Sequence, residues 1–324
     1  MRLSILVVSR TSGLLSSMLS TLKDALHLPS EEVEVLCSWN GDAEDENQIE
    51  NSSGYEFLVA NRAPYHFASN MNALADKANG EVLLLINDDV LLDANSVDSA
   101  LNCLRDHPNT GLVGARLRDR EGRLTHAGIL FDSRHSPYHQ LDRLVSSEHH
   151  AVLGSPRTVP AVTGAAMVIR REHFQALGFN TEYRVCGEDV ELCLELRGKL
   201  KLNVWYCPHF SGEHCGEATR SHEEDQGGNS EDLTRMRGLH KRFLNTANRD
   251  QLKVELTASV AEADALRSLE AQRSHEGQET NANLPRSKAG RSESNHWEDQ
   301  THALQLARLK LEQKLKQAEQ NAKR

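Results

Sequence analysis

The run Val82 to Ile86, closed at once by Asn87, Asp88 and Asp89, constrains this chain more than any other stretch. Apolar residues in a row, with no polar alternation, fit a strand buried on both faces. Such strands belong to parallel sheets covered by helices on two sides. Adjacent carboxylates at the end of such a run repel each other and are costly to bury. Solvent, a cation or a ligand has to offset that cost. In open α/β sheets ligands bind beyond the carboxyl ends of the strands, and this triplet sits at such an end. Carboxylate oxygens suit hard cations such as Mg2+ or Mn2+, which often arrive with phosphates. Taken alone, the triplet fits equally well a solvated turn ahead of a helix, where Asn and Asp are common.

The neighbouring sequence supports an alternating α/β reading. Leu3 to Val8 reads as a buried first strand. The stretch from Thr11 to Leu26 has helical period, with Leu14, Met18, Leu22 and Leu26 on one stripe. Val33 to Trp39 is a second strand and Tyr55 to Ala60 a third. A helix follows from Phe67, with Gly80 as its expected C-cap. After the acidic triplet a helix is expected from Ala94 to His107, stopped by Pro108, and then a strand over Gly111 to Leu117. Residues 118–160 are loop-rich and hold His135, His139, His149 and His150, read as loop residues. A strand running into a short helix follows from Ala161, then a helix from Gly187 with Val190, Cys193, Leu194 and Arg197 on one face. Leu202 to Cys207 is a late strand, and 229–248 a closing helix. The fold class expected is α/β, Rossmann-like, with a mostly parallel sheet flanked by helices.

Composition changes after Asp250. The expected division is a catalytic-type domain over 1–249 and a charged, helix-prone tail over 250–324, with a disordered polar linker around 275–296. The tail helices read as solvated helices or as a partner-binding surface. Hydrophobic residues make up 38% of the 324, lean for a chain packed throughout, which agrees with an unpacked tail. The formal net charge of −10 argues against a nucleic-acid binder. None of the six cysteines forms a C-x2-C pair, so a zinc ribbon is not expected. No apolar run approaches the roughly 20 residues of a transmembrane helix. The chain is expected in the cytoplasm with reduced cysteines, at most peripheral at the inner membrane.

Several segments, in order from Leu3 to Arg220, resemble family-two glycosyltransferases of the GT-A fold. "LLLINDDV" resembles the D-x-D-type element of that family, and "LSILVVSR" its first strand. "THAGILFD" is similar to the HAG segment of a rhamnosyltransferase-like branch. "AVTGAAMVIRREHF" looks like the acceptor-side strand and helix, "GEDVELCLEL" like the E/N-D-V-D/E-L-C motif, and "HCGEATR" like a looser form of the downstream H-x-E-S-x-S-R segment. The resemblance implies a nucleoside-diphosphate sugar donor, a divalent metal (Mg2+ or Mn2+) and a glycan or lipid-linked acceptor hydroxyl in surface polysaccharide synthesis. It makes Asp189 the catalytic base, with Glu188 beside it. It makes Asp89 and His214 the metal ligands. Donor-binding candidates are Ser9, Asn87, Asp88, His126 and Arg220, the last matching the arginine of the S-R pair. Where the family commonly has a base-reading aspartate, this chain has Trp39, which is expected to stack on the base, with Asp42 available for the hydrogen bond.

The chemistry required is simple. The leaving diphosphate gains charge, which a cation held by Asp89 can neutralise. The acceptor hydroxyl must lose a proton, which a carboxylate such as Asp189 can take. The competing structural reading has Glu188 and Asp189 merely complementing a helix start. Two other functions remain open on sequence. A nucleotidyltransferase would carry a Gly-rich basic phosphate loop, which "SRTSGLLSS" lacks. A silent sugar-nucleotide-binding module would use the same sheet without turnover.

Overall fold

The computed structural model describes residues 2–107, 109–149, 153–214, 226–280, 305–306 and 308–320. Among these, ten strands form one mixed sheet. Strand β1 (Leu3–Ser9) lies at its centre, parallel to β2 (Val33–Trp39) on one side and to β4 (Val82–Asn87) on the other. Strand β3 (Glu56–Arg62) extends the parallel half beyond β2. Beyond β4, β11 (Ala166–Arg170) is inserted antiparallel between β4 and β6 (Thr110–Arg118). Two antiparallel steps restore the direction, so β6 runs with β4, and β12 (Asn203–His214) runs parallel to β6. The carboxyl ends of β1 and β4 therefore open on the same edge as the amino end of β11. That shared edge positions the site.

The central strands are buried on both faces, as their unbroken apolar runs require. Ile5, Val7, Leu84 and Ile86 point into one core with helices α1 (Ser12–Ala25) and α4 (Ser96–Asp106). Leu6, Val8, Leu83 and Leu85 point into the other with α3 (Phe67–Lys77) and α6 (Glu188–Lys199). Between β2 and β3 lies one short helix, α2 (Ala43–Glu46), whose Asp45 carboxylate takes the Ser12 N–H (2.9 Å) and hydroxyl (2.6 Å) at the start of α1. Short strands β7 (Leu124–His126), β8 (Ile129–Phe131), β9 (Pro137–His139) and β10 (Arg157–Thr158) lie in the loop-rich middle. Helix α5 (Arg171–Leu177) follows β11 directly.

Three local expectations are corrected. The buried face of α1 centres on Leu15, Met18, Leu19 and Leu22, so Leu14 stands to one side of the stripe. Gly80 does not cap α3, which ends at Lys77. Its N–H donates to Ser4 Oγ at 2.8 Å, and a Cβ there would come within 2.5 Å of the Ser4 nitrogen. It is glycine because two chain segments cross. The late strand is longer than its apolar stretch, because polar residues up to His214 pair with β5 (Val90–Leu92).

The stretch read as a solvated tail helix packs on the domain. Helix α7 (Gln226–Thr246) is followed by α8 (Arg249–Thr280), whose Leu252, Ala265 and Leu266 join the core. Residues 275–280 of the expected linker continue α8, and 281–296 lie outside the described residues. Charged residues anchor α8. Glu255 meets Arg197 of α6 at 2.6 Å, both side chains only 3% exposed. Glu262 accepts from the Tyr138 hydroxyl at 2.5 Å and the Leu141 N–H at 3.3 Å.

Burial pushes the Glu262 carboxyl up to about 7, against the two hydrogen bonds that pull it down. The folded value is raised, so the stabilisation is present below the ordinary carboxylate value and is lost as pH rises through about 7. Glu262→Gln keeps the neutral shape at every pH. Its stability advantage over the parent should grow by about 2 kcal/mol between pH 5 and pH 8. Urea denaturation at both pH values tests this, and parallel pH profiles would refute it.

Candidate functional site

A cleft opens over the shared strand edge. Ser9 and Arg10 from the end of β1, Asn87 and Asp88 from the end of β4, and Thr163 to Ala165 ahead of β11 form its floor. Glu188 and Asp189 from the start of α6 form its far wall, with Tyr65, Tyr183 and Arg184 at the sides. Residues separated by up to 180 positions meet here because each lies at the corresponding end of a strand or helix.

Asp88 and Asp89 make the turn between β4 and β5. Asp88 is 9% exposed and accepts from the Ser9 hydroxyl at 2.6 Å. Burial, with the adjoining Asp89 charge, pushes its carboxyl up to about 6, while Ser9 and the Arg10 guanidinium pull the other way. Asp89 is 5% exposed and lies 3.3 Å from His214 Nε2. The pairing of β5 with β12 creates this contact, since Val90 sits opposite His214 in the ladder. Two buried neighbouring carboxylates with an imidazole beside them fit a divalent cation chemically, because a cation would offset the burial, and the lesser repulsion from Asp89, that raise Asp88. Among the described residues no three His, Cys, Asp or Glu side chains converge on one point. Asp89 and His214 could hold a hard cation if substrate oxygens supplied its other ligands.

Asp189 sits in the first turn of α6. One carboxylate oxygen accepts from the Gly164 N–H and the other from the Val190 N–H, each at 2.7 Å. The first bond ties the helix start to the loop entering β11. Gly187 precedes the helix with φ of +118°, and a Cβ there would lie 2.6 Å from Met236 Sδ. Only glycine accommodates both that backbone and that packing.

Four sequence candidates are not among the residues that line the cleft: Asp89 and His214, which contact each other, and Trp39 and His126. Trp39 is 2% exposed in the core beside α1, with its indole N–H donating to the Asp42 carbonyl at 3.1 Å. Its ring packs and does not face the cleft. His126 is 1% exposed behind the floor, and its Nε2 accepts from the Thr163 N–H at 3.3 Å. Burial, then the neighbouring His139 and His214, hold its imidazole well below the ordinary histidine range, so it acts as a neutral support. Arg220 lies outside the described residues.

Several cleft residues escaped the sequence reading. Arg10 lies 5.9 Å from the Tyr65 ring centroid, a cation–π pair on the cleft wall. The rule that placed Asn87 at a strand end applies equally to Arg10, so that signal was present. Asp232 of α7, 2% exposed, accepts from the N–H groups of Arg184 (3.1 Å), Val185 (2.8 Å) and Cys186 (3.3 Å). It holds the loop that forms one side of the cleft. Its partners are more than 40 residues away in sequence, and no local pattern announces them.

The comparisons with known proteins fit this geometry. The mannosyltransferase PcManGT from Pyrobaculum calidifontis, solved with GDP-Man and Mn2+, superposes with a TM-score of 0.51 at 15% identity, covering 96% of this chain and 86% of that one. S. aureus TarS superposes with a TM-score of 0.54 at 15% identity, over 88% of this chain and 46% of that one. GalNAc-T7 with UDP, GalNAc and Mn2+ gives 0.50 at 15% identity, over 66% of this chain and 43% of that one. The chain has a GT-A-type fold. No family model matches the chain. In sequence it is 33% identical over 182 residues to the uncharacterized protein y4gI of Sinorhizobium fredii, which covers 55% of this chain. It is also 33% identical over 141 residues to the O-antigen biosynthesis protein RfbC of Myxococcus xanthus, covering 42% of this chain. The matched parts span 20% and 11% of those two proteins. No described helix is long and apolar enough to cross a membrane.

Proposed function

We propose that this chain is a metal-dependent, inverting glycosyltransferase that moves a sugar from a nucleoside-diphosphate donor to an acceptor hydroxyl in surface-glycan synthesis. The observation that carries the reading is the single cleft in which the buried acidic turn faces the carboxylates at the start of α6. A fold shared with enzymes solved with nucleotide sugars or nucleotides and Mn2+ supports it. So does the likeness of part of the chain to an O-antigen biosynthesis protein.

In this reading Asp89 and His214 would hold a divalent cation, which when bound would supply charge neutralisation for the departing diphosphate. Ser9 keeps Asp88 oriented at the turn, and Asn87 faces the donor from the end of β4. Asp189 accepts the proton of the acceptor hydroxyl, with the Gly164 N–H fixing its orientation. Arg220 is retained as a phosphate-binding candidate. Because the Trp39 ring is packed, Tyr65 beside Arg10 becomes the candidate surface for the base. The rhamnosyltransferase-like segment around His126 makes deoxyhexose donors the first to test.

Asp89→Ala should abolish most Mn2+-dependent donor affinity and leave the fold intact, since Asp89 lies in a turn at a strand end. Calorimetry of donor binding with and without Mn2+ measures this. Unchanged Mn2+-dependent binding would exclude Asp89 as a ligand. Release of nucleoside diphosphate on adding acceptor separates a working transferase from a silent binding module.

A further inference from the structure

A second cavity, of about 240 Å³, shares no lining residue with the cleft. Its walls come from the β8–β9 hairpin, α7, α8 and a helical segment over 308–320. Leu130, Phe131, Leu244 and Leu311 make most of that surface apolar. Three buried polar side chains interrupt it: His240 of α7, and Glu255 and Ser259 of α8. Their hydrogen bonding is incomplete. The His240 ring lies flat on Phe131, with centroids 3.7 Å apart, and its Nδ1 is 3.1 Å from His135 Nδ1. Its Nε2 is 3.6 Å from a Glu255 oxygen, too far for a hydrogen bond. Ser259 follows Glu255 by one turn of α8, on the same face. Among the described residues neither His240 Nε2 nor Ser259 Oγ has a hydrogen-bond partner, although both atoms are buried. His240 is 3% and Ser259 6% exposed. Leaving such groups unpaired is costly, so a molecule that completes them is favoured.

We propose that this cavity is a binding site for a small uncharged apolar molecule that carries a hydroxyl group, an alcohol or a phenol. A hydroxyl both donates and accepts. It can give its hydrogen to the Glu255 carboxylate and accept from Ser259 or His240, while the apolar body covers the leucines and Phe131. A plain hydrocarbon would leave the buried polar atoms unpaired. A carboxylate would face the carboxylate of Glu255, which is already paired with Arg197 at 2.6 Å. Lys310 and Lys314 also line the cavity. Their ammonium groups bond the Ser133 carbonyl at 3.1 Å and the Asn245 side-chain oxygen at 2.9 Å, both in exposed positions, and so strap the helix over 308–320 in place.

The volume suits such a molecule. A cavity of about 150 Å³ accepts benzene, and this one is larger. One bridging water needs far less room, and the apolar walls offer further waters no partners. The site does not depend on the proposed transferase reaction, because no cleft residue takes part in it.

The test uses the full-length chain with phenol, benzene and benzoate as probes: one ring carrying a hydroxyl, nothing or a carboxylate. Calorimetric titration and melting temperature give the readout, since a ligand of the folded state raises apparent stability. Phenol should bind saturably and about ten-fold tighter than either other probe, the factor that the added hydrogen bonding supplies. Ser259→Ala removes a hydroxyl that has no partner, so the fold should be as stable as before or more so. Phenol should lose about the same ten-fold factor in that variant, with benzene unchanged. Leu244→Phe fills the cavity and should abolish phenol binding; if it fails to fold, Ser259→Ala decides the matter. Absence of saturable phenol binding would mean that the cavity holds water only, and would overturn the proposal. So would equal affinities for phenol and benzene, tighter binding of benzoate, or unchanged phenol affinity in Ser259→Ala.

Discussion

Asp189→Asn is expected to lower turnover by about 100-fold or more, the usual contribution of a general base, while the melting temperature moves little. Asparagine has the size of aspartate, and its side-chain oxygen can still accept the Gly164 N–H that Asp189 takes at 2.7 Å. It cannot take a proton from an acceptor hydroxyl. Donor affinity should stay nearly constant, because Asp189 lines the cleft from α6 and is not in contact with the Asp89–His214 pair proposed to hold the metal. Turnover, donor binding and melting temperature of the purified variant separate the cases. Near-normal turnover would transfer the role to Glu188 or another group. Loss of folding would show that the tie to Gly164 is the main role of Asp189.

Glu255→Ala should cost about 3–5 kcal/mol of stability, because removing one member of a buried pair leaves the other charge uncompensated. The partner is Arg197, fully enclosed. Its guanidinium also donates to the Pro160 carbonyl at 2.9 Å and the Gln251 carbonyl at 3.2 Å, and lies 4.6 Å from the Phe243 ring centroid. Burial pushes the Glu255 carboxyl up, but Arg197 and His240 outweigh it and hold the carboxyl below its ordinary value. The sign follows: this stabilisation is present above the ordinary carboxylate range and is lost as the pH falls through the depressed value. Replacing both partners with apolar residues, Arg197→Met with Glu255→Leu, should recover most of the loss. Guanidinium unfolding of the single and double variants provides the measurement. A single variant within about 1 kcal/mol of the parent would mean that water reaches Arg197.

The same pair bears on the division of the chain. A break at 249/250 follows the change in composition, yet Glu255 and Glu262 beyond it bond to Arg197 and Tyr138 before it. A chain ending near Asp250 would leave Arg197 buried without its carboxylate, the same defect as Glu255→Ala. Charged residues on a helix read as solvent-facing in any pattern of hydropathy. Only the position of the partner shows that these two face inward.

The sequence alone determined the elements whose identity depends on local periodicity. The five-residue apolar run had to be a strand buried on both sides, and it became the strand beside β1. Val33–Trp39 was bounded correctly because its polar neighbours end the run at both sides. The placement of Asn87 and Asp88 at the binding edge also followed from a local rule, since ligands gather at the carboxyl ends of strands, while Ser9, Glu188 and Asp189 were named by the family resemblance and the structure brings all five to one cleft. Tertiary structure decided what depends on partners far away in the chain. It carried β12 past its apolar stretch to bring His214 to Asp89. It turned Trp39 into the core, set His126 behind the floor, aimed Asp232 at the loop of Arg184, and folded α8 onto the domain. Apart from Trp39, whose ring packs in the core, each case involves a hydrogen bond, an ion pair or a ladder pairing with a residue dozens of positions away. Hydropathy patterns record which face of an element is buried, and they carry no record of which distant group completes a buried polar contact.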